Sequence, residues 1–186
     1  MKESDDLILS EILKRRSGRA FSPKPVPDDF LGSILEAGRR APSCANTQAW
    51  NFVVIRNQEV LADAHEALSR GNAWAKNAPI MLIVAAKEDG GCPAHGLPYF
   101  MMDIGLTTEN ILLQAVHLGL LGHPTAGWNE EKLKEVTGIP VDYRIVTVIF
   151  IGYEGNIENL DERTREKERI PSSRKPLSEI VHYDRW

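Results

Sequence analysis

The sequence predicts an α+β fold in which a central β-sheet is flanked by helices. Two continuous apolar runs, residues 80–86 and 145–151, have the length of strands and are typical of strands that are covered on both faces. Apolar residues at helical spacing precede these runs, and a long apolar segment over 103–121 separates them. At 186 residues the chain can bury a sizeable core, and we expect a single domain over 1–186.

The first third of the chain predicts helices separated by prolines, followed by a strand. Three prolines between residues 23 and 27 break the chain after the first helical pattern. An aspartate then supplies a cap for the second helix. The predicted elements are a helix up to Arg16, a helix from Asp28 or Asp29 to Arg40, a strand over 51–55 and a charged helix over 59–69.

The remaining segments predict a helix, a loop, an arm and a tail around the two central strands. Residues 103–121 are apolar nearly all round, so this helix should be buried on several sides and suggests a subunit interface. Residues 87–98, with the pair Gly90-Gly91 and two prolines, form the most loop-like part and can line or cover a pocket. The polar segment 156–169 predicts a solvated arm or linker, and residues 177–183 can form an edge strand.

Composition and charge narrow the class of protein. The formal net charge of −4 argues against a broad basic surface for nucleic acid or for an acidic membrane. Residues 1–6 are acidic rather than basic, and no apolar run approaches the roughly 20 residues needed to cross a bilayer. The two cysteines lie far apart in sequence and make no disulfide framework, so a reducing cytoplasm fits best.

Two basic clusters predict sites for an anion. The first contains Arg15, Arg16, Ser17 and Arg19, and the second, near the end of the chain, contains Arg174 and Lys175. Guanidinium is planar and permanently charged and binds two phosphate oxygens at once, so the first cluster can surround a small dianion. Taken alone, arginines at a helix end also interact with the negative end of the helix dipole.

Two turns complete the set of candidate residues. The first contains Pro42, Ser43, Cys44, Asn46 and Gln48, and the second contains Pro124, Thr125, Ala126 and Gly127. The polar side chains of the first turn can donate and accept hydrogen bonds, which suits the mixed rim of a polar ring. The second turn follows a helix and two glycines, so its backbone N–H groups can approach a ligand. Taken alone, each is an ordinary loop, and a structural role is favoured for the small Cys44 thiol.

In chain order the four segments are the first basic cluster, the turn over 42–48, the turn over 124–127 and the second basic cluster. In that order they resemble the FMN-dependent nitroreductase family over residues 8–181. The resemblance implies a nitroreductase-like fold with a mostly antiparallel sheet and an intertwined homodimer whose active sites are shared. It also implies that the two basic clusters hold the flavin phosphate and ribityl chain. The turn over 42–48 would reach the flavin from the partner subunit, and the turn over 124–127 would present backbone amides to the reactive edge of the ring.

The resemblance implies an oxidoreductase that moves electrons from NADH or NADPH, through FMN, to a small aromatic acceptor such as a nitro compound or quinone, with ping-pong kinetics. We expect no catalytic side chain, because the flavin carries the chemistry. We expect no metal, because Cys92 and His95 have metal-like spacing without further ligands. Three alternatives stay open: a specialised flavin reaction such as reductive dehalogenation or dehydrogenation, a non-enzymatic flavin-binding protein, and a dimeric interaction module without cofactor.

Overall fold

A four-stranded antiparallel sheet forms the centre of the protein in the computed structural model, which describes residues 5–186. The strands are β1 (Asn51–Ile55), β2 (Ile80–Lys87), β3 (Pro93–Ala94), β4 (Leu97–Pro98), β5 (Leu121–Thr125) and β6 (Tyr143–Gly152). The sheet has the order β1-β2-β6-β5, while β3 and β4 pair separately as a small hairpin. The predicted α+β class and antiparallel sheet are therefore confirmed.

Six helices surround the sheet in the described part of the chain. They are α1 (Ser10–Lys14), α2 (Asp28–Arg39), α3 (Gln58–His65), α4 (Tyr99–His117), α5 (Glu130–Thr137) and α6 (Glu162–Arg169). Short 3-10 turns lie at Asp5–Leu7, Cys44–Asn46, Arg70–Asn77, Ile157–Asn159 and Leu177–Glu179. Over the same residues, no helix combines the length and apolar character needed to span a membrane.

Strand β2 shows why the central strands are apolar without interruption. Met81 and Ile83 face a core cluster that includes residues of α3 and α5. Leu82 and Val84 face a second cluster that includes residues of α2 and α4. Successive side chains of a strand point to opposite faces, so a strand with helices on both sides needs apolar residues at every position. The prediction of two central strands covered on both faces is confirmed.

The long helix α4 begins before the predicted start at residue 103 and ends before residue 121. One of its faces packs on α2 and the sheet, with Ile104 and Ile111 fully buried. Met101 and Met102 lie on the other side and are about half exposed, at 49% and 55%. Within a single chain, α4 therefore leaves part of its apolar surface without a partner.

Several local predictions were wrong. Residues 121–125 form the edge strand β5, although Gly122 and Pro124 made this segment look like a turn. Helix α6 lies within the segment predicted to be a solvated arm, and α5 was not predicted. The tail over 177–183 does not pair as a strand but contains a single exposed 3-10 turn. Residues 1–4 of the acidic start lie outside the described residues.

Candidate functional site

One cavity gathers basic side chains from both ends of the chain. It has a volume of about 480 Å³ and lies between the segment that follows α1, the helix α6 and the segment that follows α6. Five of the six residues predicted in the two basic clusters line it, and Lys175 does not. The lining residues are Arg15, Arg16, Ser17, Arg19, Ile157, Lys167, Glu168, Ile170, Pro171, Ser172 and Arg174.

The arginines of the first cluster are partly buried because carboxylates hold them against the protein. The guanidinium of Arg16 donates to Glu168 at 3.0 Å and also pairs with Glu154. Arg19 donates to Glu168 through its own guanidinium, also at 3.0 Å. Arg15 lies deeper, with its side chain 19% exposed and a carboxylate of Glu109 at 3.9 Å. The cavity keeps a net positive lining, since five cations face the single carboxylate of Glu168.

Arg174 differs from the first cluster in having its donors free. Its guanidinium donates to the neighbouring Ser173 carbonyl oxygen at 2.9 Å. It forms no ion pair with any other described residue, so most of its N–H groups are available to a ligand. Lys175 is exposed. Of the predicted late basic pair, Arg174 therefore lines the cavity and Lys175 does not.

His123 joins the edge strand β5 to the arginine segment. Its ring contacts the carbonyl oxygen of Gly18 and packs on Trp74, with 4.3 Å between the ring centroids. Burial lowers the pKa of His123 to about 4, and the positive charge of Arg19 acts in the same direction. The imidazole is therefore neutral near pH 7. The residues after His123 continue directly into the second predicted turn.

Of the second predicted turn, Pro124 and Thr125 belong to β5, and Ala126 and Gly127 follow it in a turn that Asn72 holds from behind. The Asn72 side-chain amide donates to the carbonyl oxygens of Ala126 and Gly127 at 3.1 and 3.0 Å. The Thr125 hydroxyl donates to the Asn72 amide oxygen at 3.0 Å. No described residue accepts a hydrogen bond from the N–H of Ala126 or Gly127. Asn72 thus fixes the carbonyl side of the turn and leaves its N–H groups available.

The turn over Pro42, Ser43, Cys44, Asn46 and Gln48 lies outside the cavity. Asn46 and Gln48 are exposed and have φ angles of +57° and +50°, an arrangement that non-glycine residues adopt infrequently. The Ser43 hydroxyl accepts from the Gln48 backbone N–H at 3.0 Å and stabilises this shape. The buried Asp103 accepts from the Cys44 backbone N–H at 3.1 Å and ties the turn to α4. The turn is thus rigidly supported while its amide side chains face outward.

Cys44 and Cys92 form a disulfide, contrary to the expectation drawn from their distance in sequence. Their sequence separation is 48, but the fold brings the turn beside the loop that follows β2, with 5.8 Å between the two Cα atoms. Cys92 is therefore not a free metal ligand. Within the described residues, no group of three or more His, Cys, Asp or Glu side chains could hold a metal ion.

The donor set of the cavity fits a phosphorylated ligand. Four arginines and Lys167 supply permanent or strongly basic N–H donors, and Ser17 and Ser172 add hydroxyl groups. The apolar side chains of Ile157 and Ile170 form the remaining wall beside these donors. A phosphate with an attached hydroxylated chain can accept from the basic side chains and form hydrogen bonds with the serine hydroxyl groups. The residues present are therefore compatible with the phosphate and ribityl part of FMN.

Glu168, Lys167 and Asn72 were not among the predicted contacts of the site. Glu168 and Lys167 lie in a charged helix whose composition alone indicates a solvent-exposed segment. Asn72 is isolated in sequence from the turn that it supports. The Asp161 side chain caps α6 by accepting from the Thr164 backbone N–H at 3.1 Å. An aspartate that can cap a helix is the sequence feature from which α6 could have been predicted.

A comparison with family models matches residues 12–73 and 67–153 to the nitroreductase family. A relative from Archaeoglobus fulgidus, provisionally named NADH dehydrogenase/NAD(P)H nitroreductase, is 30% identical over 182 residues, which cover 96% of this chain and 98% of the relative. A protein from Thermus thermophilus named NADH dehydrogenase is 28% identical over 206 residues, covering 91% of this chain and 92% of the relative.

The fold has a similar counterpart among solved structures. A crystal structure described as an oxidoreductase containing FMN superposes on this chain with a TM-score of 0.85 at 30% sequence identity. The superposition covers 96% of this chain and 92% of the other. The similarity therefore extends over nearly the whole chain.

Proposed function

This chain belongs to the nitroreductase family, and from this membership we propose that it is an FMN-dependent enzyme that transfers electrons from NADH or NADPH to a small aromatic acceptor. The coarser class, a flavin oxidoreductase, follows from the family and from the names of its relatives. The finer proposal adds FMN as the bound flavin and a nitro compound or quinone as acceptor.

The observation that carries the proposal is the cavity shared by Arg15, Arg16, Ser17, Arg19 and Arg174. These residues come from opposite ends of the chain, and a site for a dianion is the simplest reason for gathering so many guanidinium groups around one cavity. We assign the phosphate and ribityl chain of FMN to them. Lys175 remains a predicted contact outside the cavity.

The two turns supply the remaining contacts of the proposed site. Bound FMN supplies the hydride and electron transfer. The N–H groups of Ala126 and Gly127 would donate to the ring edge that carries negative charge after reduction. Ser43, Asn46 and Gln48 would contact the flavin bound by the other protomer. A single pocket used first by the nicotinamide and then by the acceptor gives ping-pong kinetics.

A homodimer is part of the proposal. Apolar side chains near both ends of the described chain lie in solvent when one chain is considered alone, including Leu9 at 66% and Leu177 at 72% exposure. Met101 and Met102 on α4 are also exposed. Exposed apolar side chains of this kind are costly in water and favour burial against a second copy. This exposure supports a dimer in which α4 and the terminal segments pack against the partner.

The absorption spectrum of the purified protein, followed by anaerobic titration with NADH and with NADPH, tests the proposal. We expect flavin bands in the visible region and their bleaching by one or both nicotinamides. Initial rates with a quinone and a nitroaromatic acceptor should give parallel double-reciprocal lines. A folded protein that takes up no added FMN would disprove the cofactor assignment. Bound flavin that neither nicotinamide bleaches would instead favour the non-enzymatic alternative.

A further inference from the structure

Among the described residues that line the basic cavity, Glu168 is the only carboxylate. We propose that Glu168 is a positioning residue, which holds the guanidinium groups of Arg16 and Arg19 in the orientation that binds the ligand's phosphate. The inference rests on the proposed flavin site. It concerns a residue that the family resemblance did not assign and that neither basic cluster contains.

Both carboxylate oxygens of Glu168 accept hydrogen bonds from the arginine segment. One carboxylate oxygen accepts from the Arg19 guanidinium at 3.0 Å and from the Arg19 backbone N–H at 3.1 Å. The other oxygen accepts from the Arg16 guanidinium at 3.0 Å. A single side chain therefore fixes both the backbone and the side chain of the arginine segment, from a position about 150 residues away in sequence.

Burial separates Glu168 from an ordinary surface ion pair. Its side chain is 4% exposed, whereas those of Arg16 and Arg19 are 39% and 29% exposed. A carboxylate removed from water is tolerated when charged donors satisfy both of its oxygens, as they do here. The arginines keep exposed surface toward the cavity while Glu168 occupies their inner side. This arrangement leaves guanidinium N–H groups for an incoming phosphate.

A second role for Glu168 would be that of an internal substitute for the phosphate, displaced when the ligand binds. The bond from the Arg19 backbone N–H argues against that role, because displacement would leave this amide without its acceptor. The position of Glu168 in α6 also argues against displacement by the ligand. Glu168 lies in the last turn of α6, next to Lys167, and a fixed α6 sets the start of the segment that carries Arg174.

The test is the ratio of the dissociation constants of riboflavin and FMN, measured by fluorescence titration of the apoprotein. These two flavins differ by the phosphate, so the ratio reports the contribution of the phosphate site. We expect Glu168→Gln, which keeps the size and removes the charge, to lower this ratio about tenfold, the effect of losing one charge-assisted contact. Thermal stabilisation of the apoprotein by inorganic pyrophosphate should fall in parallel.

Glu158→Gln is the matched control. Glu158 pairs with Arg165 and Arg169 at 3.0 and 3.3 Å in the same part of the chain, but it does not line the cavity. Its substitution makes the same change in net charge and should leave the ratio unchanged. If Glu168→Gln does not fold, Glu168→Asp replaces it, because a shorter carboxylate keeps the charge and loses reach. This variant should also lower the ratio.

The outcomes separate the inference from the function on which it rests. An unchanged ratio in a folded Glu168 variant, with wild type preferring FMN, would overturn the positioning role and leave the proposed function intact. A raised ratio would identify Glu168 as a competitor of the phosphate and would also overturn it. A wild-type protein that does not prefer FMN to riboflavin would overturn the proposed phosphate site itself, and the role of Glu168 with it.

Discussion

The imidazole Nδ1 of His123 donates a hydrogen bond to the carbonyl oxygen of Gly18, with 3.0 Å between the two atoms. Because a carbonyl oxygen only accepts, this contact requires the proton of the neutral imidazole to reside on Nδ1. The bond connects β5, which leads into the turn of Ala126 and Gly127, to the segment of Arg16 and Arg19. Two parts of the proposed site are therefore joined by one neutral histidine.

The free energy of unfolding should fall as the pH drops from about 6.5 to about 4. The folded-state pKa of His123 is lowered to about 4 from an ordinary value of 6.5, so in this window the unfolded chain binds a proton that the folded chain does not. The contribution of His123 to the free energy of unfolding is fully present above about pH 6.5 and, by linkage, is on the order of 3 kcal/mol. Urea denaturation between pH 7 and 4 measures it.

His123→Gln, which does not titrate, isolates this contribution from that of other groups. The difference in unfolding free energy between wild type and this variant should narrow as the pH falls through the window. His117→Gln serves as control, because His117 is exposed on α4. Parallel pH curves for wild type and His123→Gln would contradict the assignment.

Arg174→Ala should weaken FMN binding more than Lys175→Ala. Arg174 lines the cavity with most of its donors free, and its removal breaks no ion pair within the described chain. Loss of a charge-assisted phosphate contact should raise the dissociation constant by roughly tenfold or more, without lowering stability. Flavin titration and thermal unfolding of both variants measure these effects. Equal weakening by the two substitutions would show that Lys175 also reaches the ligand, as its sequence position predicted.

The elements that could be predicted from sequence are those whose patterns are local. Strand β2 is apolar at every position from Ile80 to Ala86, and α2 combines an acidic start with regular apolar spacing, so neighbouring residues alone indicate each element. Strand β5 could not be recognised, because Gly122 and Pro124 interrupt its pattern. Pro124 is tolerated there since β5 is an edge strand, which leaves one side of the strand without a ladder of hydrogen bonds.

The site was predictable where it depends on residue type and unpredictable where it depends on long-range packing. Arginines near both ends indicated an anion site because guanidinium suits phosphate whatever the fold. The burial of Glu168 depends on contacts with Arg16 and Arg19, which lie at the other end of the chain. Pairing of Cys44 with Cys92 likewise depends on where the fold places two loops, and no spacing rule for cysteines determines it.

Gly127→Ala should destabilise the protein more than Gly119→Ala. Gly127 has a φ of +104° and Gly119 a φ of +73°, and the second value is closer to the left-handed conformation that other residues can reach. An added Cβ at Gly127 would lie 2.7 Å from the Ser69 hydroxyl oxygen, whereas one at Gly119 meets no atom within 4 Å. We expect a loss of about 1 to 2 kcal/mol at Gly119 and a larger loss at Gly127.

Urea denaturation measures both losses, and stopped-flow reduction of the bound flavin measures a second effect. Displacement of the turn should slow reduction in Gly127→Ala and leave it unchanged in Gly119→Ala. Equal rates in the two variants would show that the N–H groups of this turn do not contribute to the reaction.

Cys92→Ser should lower the free energy of unfolding by roughly 2 to 4 kcal/mol, because the disulfide with Cys44 restricts the unfolded chain. Wild type treated with dithiothreitol should show the same loss, and Cys92→Ser should not respond to the reductant. Denaturation with and without dithiothreitol, together with thiol alkylation and mass measurement, provides the test. Two alkylated cysteines in the untreated, folded wild type would contradict the cross-link.

Heterodimers of two inactive variants should recover activity if each site is built from both protomers. In a dimer of Arg15→Ala and Asn46→Ala chains, one site would carry both defects and the other neither, because Arg15 and Asn46 would serve the same site from different chains. Purified heterodimers, carrying a different affinity tag on each chain, should show about half the activity of a wild-type dimer. Arg15→Ala paired with Arg174→Ala is the control, since both residues line one cavity of a single chain and each site would then carry one defect. A rise in activity of this control pair above that of its two parent homodimers, or no such rise in the first pair, would contradict a shared site in which Asn46 crosses to the partner's flavin.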